Sequence, residues 1–541
     1  MLDMCENVKL HEIDFKEEIV KNYGAIVKKA KWQNKQIAVK IYPEFLIDYK
    51  WFKNRYAQLL EIDHENILKF YGTTEKPGQV MVLMEYAEGR SLYTHIHWAG
   101  VPNYTPKEAL NWMLQFARGV GFLHALKPKP IYHGNLKPQN LFLTNNLRCL
   151  KVGELASGAE ESCNDYAPRE TRRKKQAYLN ENNLTRMHTY FLNSIEYYYT
   201  EQYDVYSFGV VLWEVLFYMS ALGPDMLGFK EMNSLIARCR DEHKNKRPTM
   251  EDVILNISII ARLYYDMDLD LGTTAANVAE LQLGEVMGRG SFGIVLRANL
   301  FDIELAVKKI LKSELNGNWI EREVRQLFRA NHENIIKFFG STQDADGNTL
   351  ILMEYADCGS LHNYLYGNGH KKHKYTHRTV LNWMQQLAKG VAYLHDMTPK
   401  PVIHRDLKPH NLLLVNEFRT LKIADFGTVR DQATLMTDLI GTPEYMAPEV
   451  ALGQWYTDKS DVYSFGIVLW EVLARKKPFY HLKQKCSLAI INLVTRGERP
   501  PLTDIHGIKY CEHFKSLIES CWTNDQTERL TMKDIIGLLN Q

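Results

Sequence analysis

The sequence predicts an α+β chain of two bilobal domains in tandem, each a β-rich lobe followed by a larger helical lobe with a cleft between them. Three observations predict this. First, the same words occur twice: His64-Glu65-Asn66-Ile67 and His332-Glu333-Asn334-Ile335, Met84-Glu85-Tyr86-Ala87 and Met353-Glu354-Tyr355-Ala356, and Asp204-Val205-Tyr206-Ser207-Phe208-Gly209 and Asp461-Val462-Tyr463-Ser464-Phe465-Gly466. A repeat of this size marks two domains, not a solenoid. Second, each copy opens with short β-type runs and closes with longer helical patterns. Third, 541 residues suffice for two cores.

The first domain is expected over 1–265, a linker over 266–277 and the second domain over 278–541. Asp266, Asp268, Asp270, Gly272, Thr273 and Thr274 give the linker the mixed acidic and small character of an exposed connection. In the second domain, Gly293-Ile294-Val295-Leu296, Leu305-Ala306-Val307-Lys308 and Leu350-Ile351-Leu352-Met353 are apolar or alternating over strand lengths, and helical patterns follow over 379–395 and 462–474.

Composition excludes several function classes. The chain is 45% hydrophobic and 24% charged, and its 66 basic and 64 acidic residues leave a formal charge of +2. Nothing in that balance draws it to nucleic acid or a membrane surface. The run Arg172-Arg173-Lys174-Lys175 reads as a solvated loop face. Eight cysteines without metal-type spacing read as reduced thiols. No basic and apolar leader opens the chain. The apolar stretches near 208–217 and 465–473 are interrupted by Glu214 and Glu471 and are too short to span a bilayer. The expected address is the cytoplasm, with no membrane insertion and no nucleic-acid partner.

The second copy carries the chemistry. Gly288-Arg289-Gly290-Ser291-Phe292-Gly293-Ile294-Val295 is a glycine-rich loop between two strands, where missing side chains let backbone approach phosphate. Ala306-Val307-Lys308 then places a lysine on the next-but-one strand, and Glu323, on an amphipathic stretch before His332, is its candidate acid. His404-Arg405-Asp406-Leu407-Lys408-Pro409-His410-Asn411, Asp425-Phe426-Gly427 and Ala447-Pro448-Glu449 follow. These are the signatures of protein kinases in order and spacing, and the chain resembles that family over essentially its whole length.

The resemblance implies roles suited to phosphoryl transfer from ATP, where positioning and charge neutralisation dominate. Lys308, aligned by Glu323, holds the α- and β-phosphates. Asp425 binds Mg²⁺ and Asn411 a second Mg²⁺. Asp406 accepts or orients the substrate hydroxyl proton, and Lys408 stabilises charge on the γ-phosphate. Gly288, Gly290, Gly293, Val295 and Ala306 enclose the nucleotide, Met353 is the gatekeeper, and Glu354 to Ala356 form the hinge to adenine. Lys408 together with Gly441-Thr442-Pro443-Glu444 is the serine/threonine form. Glu449 is expected to pair with Arg529, Asp461 to hold the catalytic-loop backbone, and Thr442 to contact Asp406 and Lys408. Thr434 and Thr437 are phosphorylation candidates, with Arg405 to receive the phosphate.

Further wording is similar to the transforming-growth-factor-β-activated kinase branch of the mitogen-activated protein kinase kinase kinases: Val324-Arg325-Gln326-Leu327, Gly390-Val391-Ala392-Tyr393-Leu394-His395 and Phe426-Gly427-Thr428. That resemblance implies protein substrates of the mitogen-activated protein kinase kinase class, phosphorylated on serine and threonine, and adaptor proteins as partners. Ala424 departs from it, since the branch carries cysteine there, and no counterpart of its long adaptor-binding C-terminal tail is expected.

In the first copy the same register loses the chemistry. Gly288, Gly290 and Gly293 become Val20, Asn22 and Ala25, and Glu323 becomes Arg55. Asp406 becomes Asn135, which cannot take a proton, and Asp425-Phe426-Gly427 becomes Glu154-Leu155-Ala156, whose longer acid is expected to be misplaced. Lys40, Lys137 and Asn140 survive, and no Ala-Pro-Glu is present. Spacing from Glu154 to Asp204 predicts an activation-segment region 14 residues longer than in the second copy, flexible over 157–203. Spacing from Asp204 to Arg247 predicts that about a helix and its loops are missing. The expectation is a serine/threonine kinase joined to a pseudokinase that modulates it; a signalling scaffold with incidental catalysis is the alternative.

Overall fold

The strand-forming runs at the start of each half pair into a five-stranded sheet. The computed structural model describes residues 8–21, 25–44, 58–97, 104–154, 166–168, 200–220, 228–267, 281–290, 293–311, 330–367, 375–398, 401–425, 442–482, 486–506 and 511–540. The chain separates into two compact units, with the change at Met267 and Asp268. Most of the expected linker lies outside the described residues.

In the first unit β1 (Asp14–Lys21), β2 (Ile26–Trp32), β3 (Lys35–Pro43), β4 (Phe70–Lys76) and β5 (Gln79–Glu85) take the order β1-β2-β3-β5-β4. Gln33 and Asn34, at φ 47° and 64°, make the two-residue turn whose twist matches its strands. The helical lobe holds α1 (Leu92–His97), α2 (Pro106–Ala125), the small hairpin β6 (Leu141–Thr144) and β7 (Cys149–Val152), then α3 (Glu201–Ser220), α4 (Phe229–Cys239) and α5 (Met250–Tyr265). Thr105 and Glu108 close a reciprocal capping box at the start of α2, with Pro106 just inside, which satisfies otherwise orphaned N–H groups.

The second unit repeats the plan: β8 (Gln282–Gly290), β9 (Gly293–Leu300), β10 (Ile303–Ile310), β11 (Phe338–Gln343) and β12 (Thr349–Glu354), in the order β11-β12-β10-β9-β8. Then come α6 (Leu361–Tyr366), α7 (His377–His395), β13 (Leu412–Val415), β14 (Thr420–Ile423), α8 (Pro448–Ala451), α9 (Lys459–Ala474), α10 (Ser487–Thr495), α11 (Cys511–Cys521) and α12 (Met532–Leu539). Helix α9 is buried without interruption from Ser460 to Leu473. A helix buried on every side belongs at the centre of a lobe, which accounts for an apolar stretch too short to span a bilayer.

Gly466 lets α9 approach α11: a Cβ there would lie 2.8 Å from the Cys521 Cβ. Gly209 and Cys239 repeat this at 2.6 Å, so α3 corresponds to α9 and α4 to α11. Eight residues join α3 to α4, whereas 36 join α9 to α11 and include α10. The missing helix inferred from spacing is thus the counterpart of α10.

Candidate active site

Register places the first group. Ala306 pairs with Met353 and Lys308 with Ile351 across β10 and β12, so the lysine and the expected gatekeeper share one sheet. Ile336, Ala356 and Val415 form an apolar cluster with Met353, Leu413 and Ala424 against it, a lining suited to an aromatic base. Glu354 is turned elsewhere. Its carboxylate accepts from the Lys337 N–H and from Lys422 Nζ, each at 3.0 Å.

On the glycine-rich hairpin, Gly288 pairs with Val295 and Gly290 with Gly293. Gly293 sits at φ 135°, and a Cβ there would meet the Lys309 carbonyl at 2.3 Å, so no other residue fits without a shift. A Cβ at Gly288 would meet nothing within 4 Å, which is the open space a phosphate chain needs.

The loop after α7 supplies the second group, and a buried carboxylate fixes it. Asp461 accepts from the backbone N–H groups of His404 and Arg405, both at 2.8 Å, and contacts His395 Nε2 at 2.9 Å. Arg405 is thereby held at φ 70°. Lys408 Nζ lies 2.7 Å from Asp406 Oδ2 and donates to Thr442 Oγ1 at 2.9 Å. Asn411 Nδ2 donates to the Asp406 carbonyl at 2.8 Å and to the same Oδ2 at 3.0 Å. Both neighbours therefore use one carboxylate oxygen and leave the other as an acceptor.

Asp425, at φ 61°, brings its Oδ1 to 2.6 Å from Lys308 Nζ. Burial works to raise this carboxyl, but the Lys308 ammonium, together with His404 and Lys408, holds the group below its ordinary range. Asp425 and Asn411 are hard oxygen donors of the kind Mg²⁺ takes. Glu323, Thr434 and Thr437 lie outside the described residues. Glu449 meets Arg529 in a buried two-point pair at 2.6 and 2.8 Å, as the resemblance implied. Sequence reasoning passed over His410, which stacks on His362 at 3.7 Å; burial, then that neighbour, push its imidazolium down to about 4 and keep this edge of the loop uncharged. A separate concavity lined by Tyr364, Trp383 and Arg419 shares no residue with the array.

The first domain repeats the scaffold. Asp204 accepts from His133 and Gly134 N–H groups at 2.8 Å and contacts His124 at 2.9 Å. Asn140 Nδ2 donates to the Asn135 carbonyl at 2.8 Å. Val20 pairs with Val27 where Gly288 pairs with Val295, and Ala25 is buried beside Tyr42. The Glu154 acid was expected to be out of place; instead, at φ 62°, it reaches Lys40 Nζ at 2.7 Å. Arg55 lies outside the described residues.

A second correction concerns the activation region. Tyr166 donates to Glu214 at 2.6 Å and its carbonyl accepts from Ser207, as Tyr445 does with Glu471 and Ser464. Tyr166-Ala167-Pro168-Arg169 is thus the altered counterpart of Tyr445-Met446-Ala447-Pro448-Glu449. The segment before it is shorter, twelve positions from Glu154 against twenty from Asp425, so the added length and the basic run follow it. The Ala167-Pro168 pair was the available signal. Nearly all of 157–203, expected to be flexible, lies outside the described residues.

The family model described as "Protein kinase domain" matches residues 281–538, and "Protein tyrosine and serine/threonine kinase" matches 13–229. The chain is 44% identical over 266 residues to mitogen-activated protein kinase kinase kinase 7 of Drosophila melanogaster, covering 49% of this chain and 37% of that protein. It is 42% identical over 260 residues to the Homo sapiens protein of that name, covering 48% and 41%. It is 41% identical over 267 residues to a putative mitogen-activated protein kinase kinase kinase 7-like protein of Drosophila melanogaster, covering 49% and 66%. The chain thus spans well under half the length of the first two relatives.

Proposed function

We propose, from the premise that both domains of this chain belong to the protein-kinase family, that the second is an ATP-dependent serine/threonine protein kinase and the first a pseudokinase that regulates it. The observation that carries the first part is the convergence of Lys408, Asn411 and Thr442 on Asp406, with one Asp406 oxygen left as acceptor. That oxygen takes the proton of a substrate hydroxyl while Asn411 and Lys408 hold the carboxylate in place. Lys308 positions the phosphates, Gly288, Gly290 and Gly293 let the backbone close over them, and Val295, Ala306, Met353 and Ala356 line the base. Asp425 and Asn411 would hold Mg²⁺, which supplies neutralising charge to the phosphates.

The likeness to kinase kinase kinase 7 proteins supports mitogen-activated protein kinase kinases as substrates, adaptors as partners and the cytoplasm as address. Among the described residues no helix is long and apolar enough to cross a membrane. For the first domain, a conserved frame with Asn135, Val20 and Ala25 in chemical positions supports a fold retained without catalysis.

The test is ATP-dependent phosphorylation of a kinase-inactive mitogen-activated protein kinase kinase by the full chain, beside Asp406→Asn and Asn135→Asp variants. Activity lost in the former and unchanged in the latter is expected. No transfer to this or a generic serine/threonine substrate would remove the enzyme reading.

A further inference from the structure

The segment from Glu354 to Ala356 is held from two sides. Glu354 accepts from Lys422 Nζ of β14 at 3.0 Å, which ties it to the helical lobe. The next residue, Tyr355, is met from the strand lobe: the Arg297 guanidinium of β9 lies 5.1 Å from its ring centroid. Arg297 is itself held by acids on the two neighbouring strands. It donates to Glu304 of β10, and Glu285 of β8 lies 3.7 Å away. A planar guanidinium can serve both carboxylates and still lay its face on a ring, whose π cloud attracts the charge.

Strand alternation relates this contact to the nucleotide. Side chains two apart on a strand share a face, so Arg297 lies on the face of β9 that carries Val295. In the kinase reading on which this inference rests, Val295 covers the base and the hinge borders it. Ala356, just after Tyr355, packs with Met353 in the apolar cluster. The contact of Arg297 with Tyr355 therefore joins the strand over the base to the backbone beside it.

The first domain repeats the arrangement although its phosphate-side residues are altered. Lys29 and Glu17 stand 268 positions before Arg297 and Glu285. They lie 3.8 Å apart, and Lys29 Nζ is 4.6 Å from the Tyr86 ring centroid. Glu85 meets Lys151 at 3.1 Å, as Glu354 meets Lys422. A contact kept where the glycines and the aspartate base are replaced belongs to the hinge, not to phosphate transfer.

We propose that Arg297 is a positioning residue for nucleotide binding: by pinning Tyr355 it fixes the gap between Val295 and the hinge, and so sets the affinity for the adenine end of ATP. A gap held in advance removes part of the ordering cost of binding. Arg297 touches neither the phosphates nor the protein substrate, so the transfer step does not depend on it.

The test is steady-state phosphotransfer to a kinase-inactive mitogen-activated protein kinase kinase with ATP varied, beside calorimetric binding of MgATP to the full chain. Arg297→Ala is expected to raise KM and Kd for ATP about two- to fivefold, the effect of losing one exposed cation–π contact. The kcat and the KM for the protein substrate are expected to stay unchanged. Arg297→Lys, with the residue type of the first domain, is expected to recover most of the affinity. Tyr355→Ala is expected to weaken ATP as Arg297→Ala does, and the double variant no further. The Arg297 side chain is 40% exposed, so Arg297→Ala keeps the fold. Unchanged ATP affinity in Arg297→Ala, additive losses in the double variant, or a fall in kcat with affinity kept overturns the proposal. A wild-type chain that binds ATP but transfers nothing removes the enzyme reading and leaves the Kd comparison to decide the role of Arg297; one that does neither removes both.

Discussion

Lys308 with Asp425 and Lys40 with Glu154 are the same ion pair twice, at 2.6 and 2.7 Å and with acids at φ 61° and 62°. Their surroundings differ. The Lys308 and Asp425 side chains are 14% and 45% exposed, and those of Lys40 and Glu154 are 9% and 16%. Lys40 also lies 4.9 Å from the Tyr42 ring centroid. The Asp425 carboxylate is the more exposed of the two acids, and the Lys40–Glu154 pair is the more enclosed. The two pairs differ in side-chain exposure more than in contact.

The sharpest contrast is at the base. Asp406→Asn is expected to cut phosphotransfer by about 10²- to 10⁴-fold, the usual worth of a positioned base. Asn135→Asp is expected to restore nothing, because Val20 and Ala25 still occupy the phosphate side; a gain of activity in a background carrying Asp406→Asn would break the comparison.

Next is the buried pair. Arg529→Met leaves Glu449 charged and buried, at a cost of about 3–5 kcal/mol to the second domain. Arg247 in the first domain donates to the carbonyls of Asp241 and Gln202, and Arg169 stands where a glutamate would be. Arg247→Met is expected to cost about 1–3 kcal/mol, the worth of unmade hydrogen bonds. Calorimetric unfolding of both variants reads the difference.

Glu471 makes the stability of the second domain depend on pH. Burial raises its carboxyl from 4.5 to about 7, against the opposing hydrogen bonds of Tyr445 and Tyr366. The folded state therefore favours the protonated acid. Stability is fullest below pH 4.5, falls as the unfolded chain ionises between 4.5 and about 7, and is level above, a change on the order of 3 kcal/mol. Glu471→Gln is expected to flatten that slope in urea titrations at a series of pH values; an unchanged slope would assign it to other groups.

The smallest contrast is in the glycine hairpin. Gly293→Ala, strained by its positive φ and the Lys309 carbonyl, is expected to cost about 1–3 kcal/mol and raise KM for ATP. Ala25→Gly removes a buried methyl and is expected to cost about 1 kcal/mol with no change in KM.

The motifs were legible because phosphate chemistry demands particular residues at particular spacings; the structure adds that Lys408 and Asn411 meet at the Asp406 carboxylate and that Asp425 meets Lys308. Glu354 was legible only as a hinge residue; which way its side chain turns depends on Lys422, 68 positions away. Tyr166 was missed because its motif had lost one residue before the Ala-Pro and the final acid, and only its bonds to Glu214 and Ser207 identify it.

By itself the sequence determined two domains of one architecture, with the kinase motifs complete in the second and altered in the first, since repeats, periodicity and charged motifs are local properties of the chain. Only the tertiary structure decided that Glu154 still reaches Lys40 and that the first domain's added length follows Tyr166. Each depends on which distant segment packs against a side chain, and that is fixed by long-range packing no spacing records.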